Sequence, residues 1–375
     1  MRVALVTESF LPDVNGVTNS CLRVLEHLQR RGHSALVVAP GSGPTSYAGA
    51  EVLRTPAVPL PLCRNFSLGL PTSRLEPALR WFEPDVVHLA APVGLGAQAA
   101  FLSRHIDIPS LAVYQTDLAG FALQYRLERT VPAIRRWMAR VHTMVDRTLA
   151  PSQSAINDLR ALGVPRVHRW ARGVDTVRFS PSRRSERLRA RLRRHPDEVL
   201  VGYVGRLAKE KRLHLLDTVQ HLPNVRLVLI GDGPARSALR QMLPEAQFLG
   251  FLDGDALPTT VASLDIFVHP GAAETFCQSA QEALASGVPV VAPAAGGLTD
   301  FVRHGENGLL WQPQSAGALR RAVAAVTQQA DLRRGLAARA RQSVAQRSWE
   351  LLGDQLLEHY RDVVAPPTVA IRSVA

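Results

Sequence analysis

Glu274 and Glu282 stand eight positions apart in the stretch HPGAAETFCQSAQEALASGVPVVAP, residues 269–293. Pro270-Gly271 marks a loop and Gly287 a helix stop. Val288 to Ala292 is a short apolar run, so the order reads loop, helix over 275–286, strand over 288–292. Glu274 then falls at the helix start and Glu282 about two turns in, roughly 12 Å further along the axis. The spacing alone leaves a plain account open. A carboxylate stabilises a helix N-terminus by about 0.3–1 kcal/mol, and Glu282 would lie on a solvated face.

Basic and glycine motifs supply the other candidates. In VGYVGRLAKEKR, Gly205 ends an apolar run, and Arg206 and Lys211 project from the loop after it, with Lys209 as a further cation. Arginine offers a planar bidentate fork and lysine a point charge, and together they can hold a diphosphate. A solvated basic loop is the alternative. LIGDGP closes the next run at Gly231 to Pro234, a turn that permits close backbone approach. PDVNGVTNS places Asn15-Gly16 between the first apolar run and a helical pattern, where exposed amides form a natural phosphate site. It carries one glycine and not the three of the dinucleotide fingerprint.

Short apolar runs alternate with helical patterns along the whole chain, which indicates α/β architecture with parallel sheets. Strands are predicted near 2–7, 35–39, 85–89, 110–114, 147–150 and 167–170, with helices near 17–31, 73–82, 93–105, 130–145 and 152–162. The pattern restarts with strands near 199–204, 225–230, 246–249, 265–268 and 288–292, and helices near 211–221, 234–243, 255–263, 275–286 and 315–329. The arginine-dense FSPSRRSERLRARLRRHPDE lies between, so the domains read as 1–178 and 179–347, followed by a helix over 348–365 and a loose tail, 366–375. Two doubly wound domains would meet at a cleft facing the carboxyl ends of both sheets, where such folds bind ligands.

The 375 residues carry 46% hydrophobic and 20% charged side chains, as in a globular protein of two domains. No apolar run reaches the roughly 18 residues of a membrane span, and MRVALVTES lacks the features of a signal peptide. Three scattered cysteines, Cys21, Cys63 and Cys277, suggest neither a disulfide framework nor a metal site, which points to a reducing cytoplasm. The net charge of +12 favours acidic partners: nucleic acid, anionic lipid or phosphorylated substrates.

Taken in order, Asn15-Gly16, LAPSQSAINDLRALGV, ARGVDTVRFSP, GRLAKEK, LIGDGP and the Glu274–Glu282 segment with ASGVPVVAPAAGG resemble family 4 of the retaining glycosyltransferases, over roughly residues 1 to 365. Within it, ESFLPDVNGVTNS, VYQTDLAGFA and WARGVDTVRFSP look most like the actinobacterial GDP-mannose-dependent α-mannosyltransferases that act on lipid acceptors. The resemblance implies the GT-B fold, two Rossmann-like domains with a C-terminal helix crossing back to the first. It implies a nucleotide-sugar donor, GDP-mannose, as substrate and no cofactor or metal; DGD at 253–255 fits a turn better than a metal motif.

By the same resemblance Glu274 bonds the sugar hydroxyls and Glu282 the ribose. Arg206 and Lys211 hold the diphosphate, and amides of Thr275, Phe276 and Cys277 meet the β-phosphate or sugar at the helix N-terminus. Gly16, Gly205 and Gly231 line the donor site, and the base lies near Gly250-Phe251. Two departures stand out. Many relatives carry a histidine where this chain has Gln115, so a histidine-centred role does not carry over; Asp117, close by, is the candidate carboxylate beside the reacting sugar or acceptor. Cys277 stands where many relatives have glycine.

The rivals are a UDP-sugar donor with a glycolipid or natural-product acceptor, a nucleotide-sugar epimerase, and a nucleic-acid-binding protein. The last lacks any recognition motif, and no nucleic acid is expected. Finally, in RTVPAIRRWMARVHTMVDR, Ile134, Trp137, Met138, Val141, Met144 and Val145 share one helix face and Arg136, Arg140 and Arg147 the other. That pattern suits either packing on a sheet or the surface of an anionic membrane, with the basic run 183–194 adding attraction. A peripheral place on the inner face of the plasma membrane is the corresponding expectation.

Overall fold

The computed structural model describes residues 1–60, 63–125, 127–315 and 317–365. The apolar runs become strands because each is buried on both faces of a parallel sheet, as the pattern eBBBBB of the first strand illustrates. In chain order the strands are β1 (Arg2–Thr7), β2 (Ser34–Pro40), β3 (Ser46–Tyr47), β4 (Ala50–Thr55), β5 (Ala57–Leu60), β6 (Cys63–Gly69), β7 (Val86–Ala90), β8 (Ser110–Val113), β9 (Arg147–Ala150) and β10 (Val167–Arg169). The second set is β11 (Val199–Val204), β12 (Val225–Ile230), β13 (Gln247–Gly250), β14 (Ile266–Val268), β15 (Val290–Pro293) and β16 (Gly308–Trp311).

The first sheet runs β10-β9-β8-β7-β1-β2-β4-β3 and the second β13-β12-β11-β14-β15-β16, while β5 and β6 form a separate antiparallel hairpin. All pairings within the two sheets are parallel except β3 with β4. Strand order reverses between β1 and β7 in the first sheet and between β11 and β14 in the second. These reversals are the switch points outside whose carboxyl ends open α/β sheets bind ligands. The loops in question begin at Glu8, Ala91, Gly205 and His269.

Strands β3 to β6 and β16, and helices Leu118–Gln124, Glu186–Leu192 and Ala330–Ala340, were not among the predicted elements. The segment 211–221, predicted as one helix, breaks into the short turns Lys209–Lys211 and Leu213–Leu216 and the helix Asp217–Gln220, with Arg212 in the left-handed region at φ 52°.

The helix Trp349–Val364 returns to the first domain. Leu352, Leu356, Leu357 and Tyr360 join Val3, Leu5 and Leu111 in one core cluster. Tyr360 Oη pairs with His88 Nδ1 at 2.6 Å, and Trp170 Nε1 donates to Leu352 O at 2.8 Å. The tail predicted at 366–375 lies outside the described residues.

Helix Val131–Met144 uses its apolar stripe internally. Met138, Val141 and Val145 are buried in clusters beneath the first sheet, leaving Trp137 half exposed with Arg136 and Arg140. The arginine run 183–194 is equally committed to its own domain: Arg184, Arg189 and Arg193 converge on Asp265, Arg194 pairs with Glu198 and Glu245, and Arg183 with Asp255. Of the two uses the pattern allows, packing on the sheet therefore takes the buried part of the stripe, and the exposed Arg136, Trp137 and Arg140 stay free of it. Local pairing of the charges likewise occupies Arg183, Arg184, Arg189, Arg193 and Arg194 of the run 183–194.

Candidate active site

The carboxyl ends of β11 and β14 bring three charged side chains together. Lys211 Nζ lies 2.5 Å from Glu274 Oε1, and His269 Nε2 lies 2.9 Å from the same oxygen. Glu274 has only 12% of its side chain exposed. Burial opposes its charge, but Lys211 and His269 outweigh that and hold its carboxyl down at about 2. Burial likewise opposes the charge of His269, yet the adjoining Cys277 and Glu274 raise the imidazole to about 9. The ring is stacked on Tyr203, centroids 5.8 Å apart, and Tyr203 Oη donates to Arg206 O at 3.0 Å. With both cations on Oε1, Oε2 makes no hydrogen bond among the described residues, which leaves it to accept from a ligand hydroxyl.

Glu274 is not in the helix. The helix is Gln278–Ala285, and Cys277, at φ 78°, is the residue before it. Residues 274–276 stay irregular because the Gly296-Gly297 turn presses on them: Gly297 N donates to Glu274 O at 2.8 Å, and a Cβ on Gly297 would come within 2.3 Å of Thr275 O. The axial spacing of the two glutamates therefore does not apply, and the amides at the helix start belong to Gln278 onward, not to Thr275, Phe276 and Cys277. Phe276 is a core residue against Phe301, and Thr275 Oγ1 donates across the cleft to Gln115 O at 3.0 Å.

Glu282 sits on the helix among Gln278, Arg178, Arg23 and Asp175. Burial raises its carboxyl to about 7, against the lowering effect of Gln278 and the two arginines. Arg206 is one-third exposed and only 3.9 Å from Glu210. The glycine of Gly231 is demanded by the protein itself, since a Cβ there would meet Gly205 O at 2.1 Å. Gly250 precedes Phe251, an exposed aromatic residue (63%).

On the first domain Gly16 opens the helix Gly16–Arg30, but Asn15 Oδ1 already accepts from the amides of Val17 and Thr18. Asp117 also caps: its Oδ1 accepts from Gly120 N at 2.8 Å at the start of Leu118–Gln124. Its carboxylate thereby serves the local turn. Two residues escaped the sequence reading. One is His269, which no spacing linked to Glu274. The other is Glu8, whose carboxylate accepts from the amides of Val93, Gly94, Gly96 and Gly69, tying β1 to the turn after β7 and to β6.

This pair of facing parallel sheets, with charged loops at both switch points, is the architecture of GT-B glycosyltransferases. Anabaena HepE in complex with UDP and glucose superposes with a TM-score of 0.77 at 21% identity, covering 96% of this chain and 99% of that one. WaaG, a glycosyltransferase involved in lipopolysaccharide biosynthesis, gives 0.72 at 17% identity, covering 96% and 100%. Residues 14–178 match Glycosyltransferase Family 4 and residues 184–343 match Glycosyl transferases group 1. The chain belongs to these glycosyltransferases and is an enzyme of that class. It is 46% identical over 370 residues to the GDP-mannose-dependent alpha-mannosyltransferase of Corynebacterium glutamicum, covering 97% of this chain and 90% of the relative. The enzyme of the same description from Mycobacterium tuberculosis is 47% identical over 371 residues, with 97% of both covered. Sulfoquinovosyl transferase SQD2 of Arabidopsis thaliana is 33% identical over 325 residues, covering 83% and 64%.

Proposed function

We propose that the enzyme transfers mannose from GDP-mannose, with retention of configuration, to a hydroxyl of a lipid or glycolipid acceptor. The observation that carries the chemistry is the convergence of Lys211 and His269 on one oxygen of Glu274. The other oxygen would accept from a hydroxyl of the sugar, so the ring is oriented without a strong base at the reacting carbon. Arg206 and Lys211 would meet the diphosphate and offset the charge that builds on it as the bond to the sugar breaks. In a front-face displacement a departing phosphate oxygen takes the proton of the acceptor hydroxyl, and the acceptor oxygen bonds the anomeric carbon as the phosphate leaves. Glu282 would hold the ribose and the exposed face of Phe251 the base. Closure of the two domains would keep water from the activated donor.

The donor reading is supported by the mannosyltransferases that share close to half of this sequence along nearly its whole length. The likeness to SQD2 keeps a UDP-sugar as the second reading. Calorimetry with GDP-mannose and UDP-glucose separates them: the first should bind at least tenfold tighter. Anomeric analysis of the product by NMR then tests retention, and equal or inverted preference overturns the corresponding half of the proposal. No helix among the described residues is long and apolar enough to cross a membrane. For a lipid acceptor we place contact with an anionic inner membrane face at Trp137, Arg136 and Arg140.

A further inference from the structure

Arg172 is a buried cation that no carboxylate neutralises. It follows β10 in the segment joining the two sheets and is 7% exposed. Its Nη1 donates to Gly16 O at 2.7 Å and its Nη2 to Gln115 Oε1. Both acceptors are neutral, and among the described residues it joins no ion pair. A guanidinium has five N–H groups, so these two bonds do not exhaust it. Burial lowers its basicity to about 10, which still leaves it charged at neutral pH.

Its place is tied to both halves of the cleft. Gly16 opens the first helix after β1, and Gln115 follows β8. Gln115 O receives Thr275 Oγ1, one residue from Glu274. The carbonyl of Arg172 receives Gln281 Nε2, and that of Gly173 receives Gln278 Nε2, both at 2.9 Å from the helix that carries Glu282. The other cleft cations are differently placed. Lys211 is matched at contact distance by Glu274, and Arg206 stands near Glu210. The protein therefore leaves a positive charge unmatched on the first-domain side of the cleft. Isolated buried charges are expensive unless a partner compensates them.

We propose that Arg172 is a third cation for the donor's diphosphate, supplied from the interdomain segment and acting on the phosphate that leaves with the nucleotide. This rests on the reading of the cleft as a nucleoside diphosphate sugar site, though not on the identity of the base. Arg172 complements Arg206 from the first-domain side of the cleft, so the diphosphate is gripped from both domains.

The test compares phosphate increments. Guanosine, GMP and GDP, and in parallel uridine, UMP and UDP, are titrated calorimetrically into wild type, Arg172→Lys and Arg172→Met, with ligand-free melting measured alongside. Arg172→Met is expected to lose about 10- to 100-fold in affinity for the diphosphate and less than about threefold for the nucleoside. Arg172→Lys, which keeps the charge, should recover most of the loss. The ligand-free melting temperature of Arg172→Met should hold or rise, because an unmatched buried charge has gone. Unchanged diphosphate affinity in Arg172→Met overturns the proposal. So does an equal loss for nucleoside and diphosphate with a lowered melting temperature, which makes Arg172 a structural clip between Gly16 and Gln115. If wild type prefers UDP to GDP, the donor base proposed above is wrong while the uridine increments still decide Arg172. If wild type gains nothing from the phosphates, both readings fall.

Discussion

The Lys211 ammonium stands 2.5 Å from Glu274 Oε1, across a sheet reversal that brings residues 63 positions apart into contact. Each partner is the other's main compensation, with His269 on the same oxygen. Removing one member of such a pair strands the other in a poorly solvated place. Glu274→Gln and Lys211→Ala should therefore each lower kcat by about 10- to 100-fold or more. The double variant should lose far less than the product of the two, since the second change removes a group already unpaired. Steady-state rates over the four proteins check this; multiplicative losses would mean that the pair does not act as a unit.

His269 should give the reaction an alkaline limit. Its folded value, about 9, is above its ordinary 6.5. The imidazolium and its ionic contact with Glu274 thus persist until pH rises through about 9, while the stability the contact contributes is full below about 6.5 and is lost over the same rise to about 9. The groups facing it are Glu274, Cys277, Lys211 and the Tyr203 ring. Wild-type kcat should decline near pH 9, and His269→Gln, which keeps a donor but no charge, should lose that limb while retaining part of the rate. An unchanged limb in the variant assigns it elsewhere.

Glu282 should behave oppositely to Glu274. Burial raises its carboxyl from 4.5 to about 7. The folded state holds that proton more tightly, so the penalty of the buried charge is absent below about 4.5 and grows as pH rises to about 7. Glu282→Gln should raise the ligand-free melting temperature at pH 8 and leave it unchanged near pH 4. The same substitution should weaken GDP binding if Glu282 holds the ribose, because a carboxylate accepts from hydroxyls more strongly than an amide oxygen does, and wild-type affinity should improve from pH 6 to 8. Melting curves and calorimetry at the two pH values measure both.

How much of this was legible follows from what each feature depends on. The parallel strands were readable because runs such as VALVT and VRLVLI are buried on both faces. Strands β4 to β6 were not, since prolines break the stretch 56–61 and β4 is only partly buried, with Glu51 exposed and Leu53 and Arg54 half-buried. Arg206, Lys211 and Glu274 declared themselves as charges beside glycine turns. Their arrangement did not, because His269 and Lys211 become neighbours only through the pairing of β14 with β11, which is not sequential. The helix start was misread at Thr275 because its delay to Gln278 is imposed by a distant glycine pair. Arg172 looked like one more arginine, and only the fold shows that no carboxylate came with it.

Asp117 has a local task in the structure, and the rate of its variants decides whether it has a second one. Its Oδ1 is taken by the Gly120 amide and lies 3.4 Å from Tyr114 Oη. Asp117→Asn keeps a capping oxygen and should retain activity within about threefold. Asp117→Ala should lower stability by about 1 kcal/mol, the ordinary cost of a lost cap. A large loss of kcat in Asp117→Asn at unchanged stability would instead make it a reacting group.

Membrane attachment, if the acceptor is a lipid, has to use what the fold leaves outside. Met138, Val141 and Val145 are sealed beneath the sheet, so the insertion of a whole apolar helix face is closed off. Trp137 remains 44% exposed, its Nε1 donating to Val93 O, with Arg136 and Arg140 exposed on the same helix. One interfacial tryptophan and two arginines give weak, reversible binding, with each basic residue worth about 1 kcal/mol near an anionic surface. Sedimentation with vesicles containing anionic phospholipid should show binding at low salt that vanishes at high salt and with neutral vesicles. Arg136→Glu combined with Arg140→Glu should abolish it, and Trp137→Ala should weaken it without altering GDP affinity. Changing the run 183–194 should have no comparable effect, because Arg183, Arg184, Arg189, Arg193 and Arg194 are held in ion pairs of the second domain. If wild type ignores anionic vesicles at low salt, the membrane contact is wrong and a water-soluble acceptor takes its place.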